Sequence, residues 1–229
     1  MPQFQRPPTT QQVVLDALRR AIQDGELLPG STIRPDDIAA RFGVSRIPVR
    51  ESLKILEGQG LVEHSAHTGY VVPMLTAEDA VEIYAIRAML ETEALRRGLR
   101  RATGADRAAA AEAYEAASRS LSDGDPNGYS VHSNRFHAAL FAPCAMPRLM
   151  RLIANVWDST ETYRPARMLP PRQRDDLHDE HRAILTAFQR GDAPAVIAES
   201  DRHREHLLDA VLEGIPAVHP RPERGRLAG

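Results

Sequence analysis

The first sixty residues contain three short stretches in which apolar residues recur every three or four positions. This is the spacing of helices that bury one face. The inward positions are Val14, Leu18 and Ile22 in the first stretch, Ile38 and Phe42 in the second, and Val49, Leu53 and Leu56 in the third. Gly25 and Gly43 end the first two stretches, and Ser45 is placed to cap the third. The pattern predicts three helices, with a tight turn between the last two.

Two short runs of β-type residues follow the third helix, at positions 61–64 and 70–72. The residues between them, 65–69, end in a glycine and suit the turn of a hairpin. Three helices followed by a hairpin are the order of a winged helix-turn-helix, in which the hairpin is the wing. We therefore expect such a domain over residues 9–75.

From position 76 onward the sequence changes to one helical stretch after another. Thr76-Ala77-Glu78-Asp79 has the form of a capping box, which marks the first helix of this half. The helical stretches lie near 76–102, 105–122, 126–142, 146–163, 173–190 and 193–213. Because no strand pattern interrupts them, we expect a mainly α protein in which residues 76–215 form an all-α helical bundle. Residues 216–229 hold three prolines and two glycines, with little to bury, which predicts a disordered tail.

The composition of the chain excludes fewer classes of function than the order of its predicted elements does. The formal charge is −2, and residues 1–75 hold eight basic and eight acidic side chains, so DNA binding must depend on where the charges lie. No apolar run approaches the ~20 residues that a membrane span needs, and the polar start lacks the apolar core of a signal peptide. We expect a cytoplasmic protein whose single cysteine, Cys144, is a packing residue.

The third helix carries a basic stripe. Arg46, Arg50 and Lys54 are spaced four residues apart, on a different face from the apolar residues that dock the helix. An arginine there can give two hydrogen bonds to guanine or pair with a phosphate. Charge runs are often solvated surface, but a stripe on the second helix of a helix-turn-helix favours DNA reading. The residues of the hairpin tip that would lie along the minor groove or backbone are His67, Thr68 and Gly69.

Three motifs in this half resemble the winged helix of the GntR family. They are Gly25-x-Leu27-x-Pro29-Gly30, Gly43-Val44-Ser45-Arg46-x-Pro48-Val49-Arg50-Glu51 and Leu56-x-x-x-Gly60-Leu61-Val62. The DNA contacts that the resemblance implies are Ser45, Arg46 and Arg50, with Thr68 and Gly69 at the wing tip. The family often has an arginine where this chain has Asp36, which leaves one expected contact open, with Arg34 as a substitute to be tested.

Histidines stand out in the helical half. Six of the nine in the chain form three pairs, His132/His137, His178/His181 and His203/His206. Histidine is a common metal ligand, and three from separate helices can converge inside a bundle. The spacing alone favours surface histidines over a metal site, because no ligand motif as tight as HExxH is present.

Further motifs resemble the FCD ligand-binding domain, the C-terminal half of the FadR-type branch of the GntR family. They are Asn134-Arg135-Phe136-His137, Glu180-His181-Arg182-Ala183-Ile184-Leu185, Gly191-Asp192 and His203. The resemblance implies a divalent metal, often zinc, whose ligands here would be His137, His181 and His203. The Asp or Asn that the family has four residues before the first His is replaced by Ser133, with Asn134 beside it. Either of these, water or an effector carboxylate would complete the site.

The resulting hypothesis is a ligand-responsive homodimer that binds a palindromic operator. The resemblance implies a small organic acid or sugar acid as effector. Arg87 matches an arginine of the family's first sensor helix and would clamp this acid, unless its side chain is tied to Glu91. The alternatives are a three-His metal-dependent hydrolase and a metal-free helical interaction module with a DNA-binding head. We expect no enzyme, because the sequence has no phosphate-binding loop or GxSxG elbow and Glu180 should point away from a shared metal.

Overall fold

The computed structural model describes residues 7–66, 68–158, 160 and 171–215. Three sequence predictions fall outside the described residues. They concern His67 at the wing tip, residues 159 and 161–163 of the helix expected over 146–163, and the tail 216–229. The chain divides into two compact units. The main division falls between Leu75 and Thr76, and Asp158 groups with the N-terminal unit.

The N-terminal unit consists of three helices and a small antiparallel sheet. Its elements are α1 (Thr10–Gln23), β1 (Thr32–Ile33), α2 (Pro35–Phe42), α3 (Arg46–Gly58), β2 (Glu63–Ser65) and β3 (Gly69–Val71). The strand order is β1-β3-β2, with Ile33 opposite Tyr70. The hairpin of β2 and β3 is the predicted wing, so the winged helix-turn-helix is confirmed. Strand β1 is an addition, since two residues are too few to show an alternating pattern.

The core of this unit forms where the sequence pattern places it, with one exception. The predicted positions that are at most 2% exposed are Val14, Leu18, Ile22, Val49, Leu53 and Leu56. The prediction for Phe42 is wrong, because its side chain is 37% exposed. Phe42 is the last residue of α2, and Gly43 turns the chain there in a left-handed conformation. The ring therefore lines an open groove beside α1 instead of entering the core.

The described residues of the C-terminal unit form helices joined by short turns, with no strand among them. Its α-helices are α4 (Ala77–Leu99), α5 (Gly104–Ser122), α6 (Pro126–Phe141), α7 (Pro147–Asp158), α8 (Pro171–Arg190) and α9 (Ala193–Gly214), with a 3₁₀ turn at Ala142–Cys144. The predicted capping box is present, since Thr76 and Asp79 exchange hydrogen bonds at the start of α4. None of the helices in the described ranges has the length and apolar character needed to cross a membrane.

Helices α6, α8 and α9 pack into one core and carry the conspicuous histidines. Asp125 caps α6 and Asp192 caps α9, each by accepting hydrogen bonds from backbone N–H groups of the first turn. Phe136 of α6 and Phe188 of α8 are fully buried, as is Val196 of α9. These contacts fix the rotation of each helix, so the polar residues on the adjoining faces are held in defined positions.

Candidate DNA interface and metal centre

The reading helix α3 presents its basic stripe to solvent. Its apolar face is buried in the core of the N-terminal unit, whereas Arg46, Arg50 and Lys54 are exposed. Residues four positions apart lie above one another on a helix, so the three cations form a row along one side. This is the geometry that contact with a DNA groove requires.

Ser45 occupies the N-cap position of α3, as predicted, but its side chain makes no capping hydrogen bond. Pro48, three residues further on, removes one of the two N–H groups that a capping side chain can use. A capping hydroxyl accepts from the N–H of the second or third helical residue, and the third is Pro48, which has no N–H. The prediction that the Ser45 side chain caps the helix is therefore wrong, and the exposed hydroxyl remains available to a phosphate.

Arg46 is paired with Asp36. Its Nε lies 2.9 Å from Oδ1 of Asp36, which belongs to the first turn of α2. The arginine side chain is 71% exposed and the aspartate side chain 59% exposed. The residue that departs from the family pattern is thus in direct contact with an expected DNA-reading residue.

The wing tip includes Thr68 and Gly69. Thr68 is exposed. Gly69 has a φ of 102°, and a Cβ at this position would lie 2.7 Å from the carbonyl oxygen of Ile33. The glycine is therefore required by the close packing of β3 against β1, in addition to any contact it makes with DNA.

The three histidines that the resemblance implies as ligands converge within the C-terminal unit. Nε2 of His181 lies 3.1 Å from Nε2 of His137 and 3.1 Å from Nε2 of His203. Zinc binds imidazole nitrogen at about 2.0 Å, so two nitrogens of a tetrahedral site lie roughly 3.3 Å apart. Two imidazole lone pairs repel each other at such distances unless a proton or a cation lies between them. The residues present therefore fit a divalent metal.

Glu180 orients the imidazole ring of His203 through the nitrogen that faces away from the cluster. Its Oε2 accepts a hydrogen bond from Nδ1 of His203 at 2.7 Å. Burial lowers the pKa of His203 more than Glu180 raises it, which favours the neutral form of the ring. With the proton on Nδ1, the lone pair of Nε2 faces the other two histidines, which is the form that binds metal. Sequence reasoning missed this role, because Glu180 and His203 are 23 residues apart.

The remaining histidines of the three pairs lie outside the cluster. His206 is exposed and its Nδ1 also contacts Glu180. His178 is buried, with Nε2 2.7 Å from Oγ of Ser118 and its ring stacked on Tyr114. His132 is half-buried. One histidine of each pair thus reaches the cluster, a distinction that spacing does not reveal.

The positions considered for a fourth ligand lie on α6. Ser133 is half-buried and stands one helical turn before His137, on the same face of the helix. Asn134 is half-buried as well, one position further round. A serine in place of a carboxylate leaves the three histidines as a ligand set without negative charge.

Arg87 takes part in a buried charge network. Its Nε lies 2.9 Å from Oε1 of Glu91, and Nη1 of Arg204 lies 2.9 Å from Oε2 of the same carboxylate. Trp157 donates its indole N–H to Glu91 at 2.7 Å. Burial alone would raise the pKa of Glu91, but the charges of Arg87 and Arg204 outweigh it and hold the pKa below its usual value. The salt bridge considered as the alternative for Arg87 is therefore formed.

A winged helix-turn-helix with an exposed basic reading helix, followed in sequence by a helical unit with a three-histidine cluster, is typical of a DNA-binding regulator. The comparisons with known proteins agree with this class. Residues 10–72 match the family of bacterial regulatory proteins named gntR, and residues 82–206 match the FCD domain. The second match alone covers more than half of the chain. The chain therefore belongs to the GntR family of transcriptional regulators and carries its FCD domain.

Relatives over most of the chain are regulators too. The HTH-type transcriptional regulator YdhC of Bacillus subtilis (strain 168) is 28% identical over 86% of this chain and 90% of its own length. A probable D-xylose utilization operon transcriptional repressor of Paenarthrobacter nicotinovorans is 30% identical over 78% of each chain. A putative transcriptional regulator GntR from Rhodococcus sp. RHA1, of known structure, is 29% identical with a TM-score of 0.77, covering 89% of this chain and 97% of that one. These relatives confirm that the protein is a regulator and not an enzyme.

Proposed function

We propose that this regulator binds its operator under the control of a small anionic metabolite, held in the helical unit beside a divalent metal, zinc in the first instance. The observation that carries the proposal is the convergence of His137, His181 and His203, whose Nε2 atoms stand 3.1 Å apart in two successive pairs. The metal would be held by these three nitrogens, and it would supply a positive centre to which an anion can bind.

The charge of the site favours an anionic effector. Neutral imidazoles leave the charge of a divalent ion uncompensated, and three protein ligands leave a coordination position open. Ser133 stands where the family has a carboxylate or amide, so this chain adds no charge of its own at that position. The carboxylate of an organic acid or sugar acid would provide both the ligand and the charge. That the Paenarthrobacter relative is described as a repressor of a utilization operon supports a metabolite signal.

The DNA side of the proposal is a homodimer on a palindromic operator, with one reading helix in each half-site. The contacts proposed for each protomer are Ser45, Arg46, Arg50, Thr68 and Gly69. The first three lie at the exposed start of α3 and the last two at the wing tip. A DNA-binding regulator acts where the chromosome is, so the proposal includes a cytoplasmic location.

The metal is tested first. Elemental analysis of full-length protein, purified without chelator and then supplied with zinc, should give one ion per chain. His137→Ala and His181→Ala should lose it, whereas His206→Ala, a matched control on α9 outside the cluster, should retain it. Chelation should lower the Tm of the parent, because it removes a ligand that binds only the folded state. A parent without metal after zinc supply would overturn the metal site and favour a metal-free interaction module.

The effector is tested on the zinc-loaded protein. A panel of small organic acids and sugar acids should contain members that raise the Tm and change the Kd for operator DNA. Because coupling between two binding sites is reciprocal, operator DNA should change the affinity for the same acid by the same factor. Neutral sugars of equal size are the matched controls. If the acids and the neutral sugars act alike, the anionic effector is excluded.

A further inference from the structure

The ion pair between Asp36 and Arg46 joins two helices of the N-terminal unit at the start of the reading helix. Nε of Arg46 lies 2.9 Å from Oδ1 of Asp36, and both side chains are largely exposed. Exposed pairs of this kind contribute little to the stability of a fold. The unit also has a continuous apolar core of its own. The pair is therefore better explained by what it does to Arg46 than by stability.

The geometry of the contact leaves the reading end of the arginine accessible. A guanidinium has five N–H donors in a rigid plane, one on Nε and two on each terminal nitrogen. Asp36 contacts the guanidinium at Nε, in an ion pair of 2.9 Å. A guanine needs two donors, one for O6 and one for N7, and the terminal nitrogens of Arg46 carry four. Among the described residues, Asp36 is the only ion-pair partner of this side chain.

We propose that Asp36 is a positioning residue that restrains the guanidinium of Arg46 for guanine and so increases discrimination between bases at one operator position. Its negative charge has a second and opposite effect, because it repels phosphates and weakens binding to every DNA sequence. An acidic residue at this place thus lowers general affinity and raises specificity. The proposal rests on the proposed role of Arg46 as a base contact, and it does not depend on the metal or the effector.

The size of the restraint follows from side-chain entropy. Immobilising a rotamer-rich side chain at an interface costs roughly a factor of 2 to 10 in binding. A side chain that is already held by Asp36 has lost part of this freedom before DNA arrives. Binding to the correct base then gains relative to binding to a wrong base, where the arginine makes no paired hydrogen bonds.

The test uses the full chain and duplex DNA selected from a random pool. The Kd is measured at fixed salt for the selected consensus and for each single-base variant. Arg46→Ala identifies the position that Arg46 reads, as the one where discrimination is lost. Asp36→Asn is then compared with Asp37→Asn, which changes the same charge in the same first turn of α2. Both variants should bind all sequences more tightly, but only Asp36→Asn should lower discrimination at the Arg46 position, by roughly 2- to 10-fold.

A double variant separates positioning from direct reading. In the Arg46→Ala background, Asp36→Asn should change discrimination no further. Equal discrimination in the Asp36→Asn and Asp37→Asn variants would overturn the proposal. So would a change at a position that Arg46→Ala does not affect, because Asp36 would then read cytosine N4 itself. If Arg46→Ala alters discrimination at no position, the proposed base contact of Arg46 fails as well. This result distinguishes failure of the base contact from failure of the positioning role alone.

Discussion

Glu180 holds His203 from the side opposite the cluster, through a 2.7 Å hydrogen bond between its Oε2 and the imidazole Nδ1. Removing such an outer partner of a metal-binding histidine typically weakens metal affinity by about 10- to 100-fold. Glu180→Gln should therefore raise the Kd for zinc within that range, measured by competition with a chromophoric chelator. Asp179→Asn, which changes an exposed neighbouring carboxylate paired with Arg182, is the control. Equal zinc affinity in both variants would assign Glu180 a role in packing only.

A substitution at Ser133 should strengthen zinc binding at the same site, whereas Glu180→Gln should weaken it. Ser133→Asp places a carboxylate one helical turn before His137, where the family has an acid or amide, so the affinity for zinc should increase. The added charge should also weaken binding of an anionic effector, because it occupies the position and the charge that the effector would use. Titrations of zinc, and then of effector into the zinc-loaded variant, measure the two effects. Asn134→Asp is the matched control on α6, and an equal gain in zinc affinity there would move the fourth ligand to position 134.

Local patterns predict the architecture of this protein because its elements are amphipathic and separated by clear turn residues. Val14, Leu18 and Ile22 are buried together since a helix places them on one face. Errors arise where a neighbour in space or sequence changes the local rule. Pro48 removes one of the two N–H groups that the Ser45 side chain could have capped. Gly43 turns the chain directly after Phe42, and the Phe42 ring stays partly exposed.

At the candidate metal site, too, local sequence patterns do not reveal contacts between residues of different helices. The resemblance to a family indicates His137, His181 and His203, and the structure brings their Nε2 atoms together. Neither spacing nor composition indicates that Glu180 contacts His203, or that Asp36 pairs with Arg46. Both contacts join residues on different helices, and they depend on how those helices are rotated and packed. Pairwise contacts of this kind are properties of the tertiary structure.

The buried carboxylate of Glu91 is expected to be essential for stability. It is only 4% exposed and is shared by Arg87, Arg204 and the indole of Trp157. Glu91→Ala leaves two buried arginines without their shared anion, and breaking a buried pair in this way costs about 3–5 kcal/mol. Chemical denaturation should show that loss in the free energy of unfolding. Glu93→Ala, which removes a half-buried carboxylate two positions away that is 34% exposed and paired with Arg97, should change stability much less. A small effect at Glu91 would mean that water replaces the carboxylate.

The proposed operator geometry requires two reading helices for each complex. The protein should therefore sediment as a homodimer at micromolar concentration, and the complex with operator DNA should contain two chains for each duplex. A single half-site should bind much more weakly than the palindrome, because the second contact is then lost. A monomer, both free and on DNA, would exclude the two-half-site arrangement.

Arg50 and Lys54 should differ in what they contribute to DNA binding, although both lie on the exposed stripe of α3. Arg50 lies nearer the start of the helix, where base edges are read, so Arg50→Ala should cost about 1–3 kcal/mol of discrimination at one base pair. Lys54 lies one turn further on and is expected to meet phosphate. Lys54→Ala should weaken binding to all sequences about equally and reduce the slope of log K against log salt by about 1. Binding isotherms over a salt series, on the consensus and on single-base variants, separate the two effects. If Arg50→Ala lowers the affinity for every sequence by the same factor, Arg50 contacts the backbone and the specificity of α3 depends on its first turn alone.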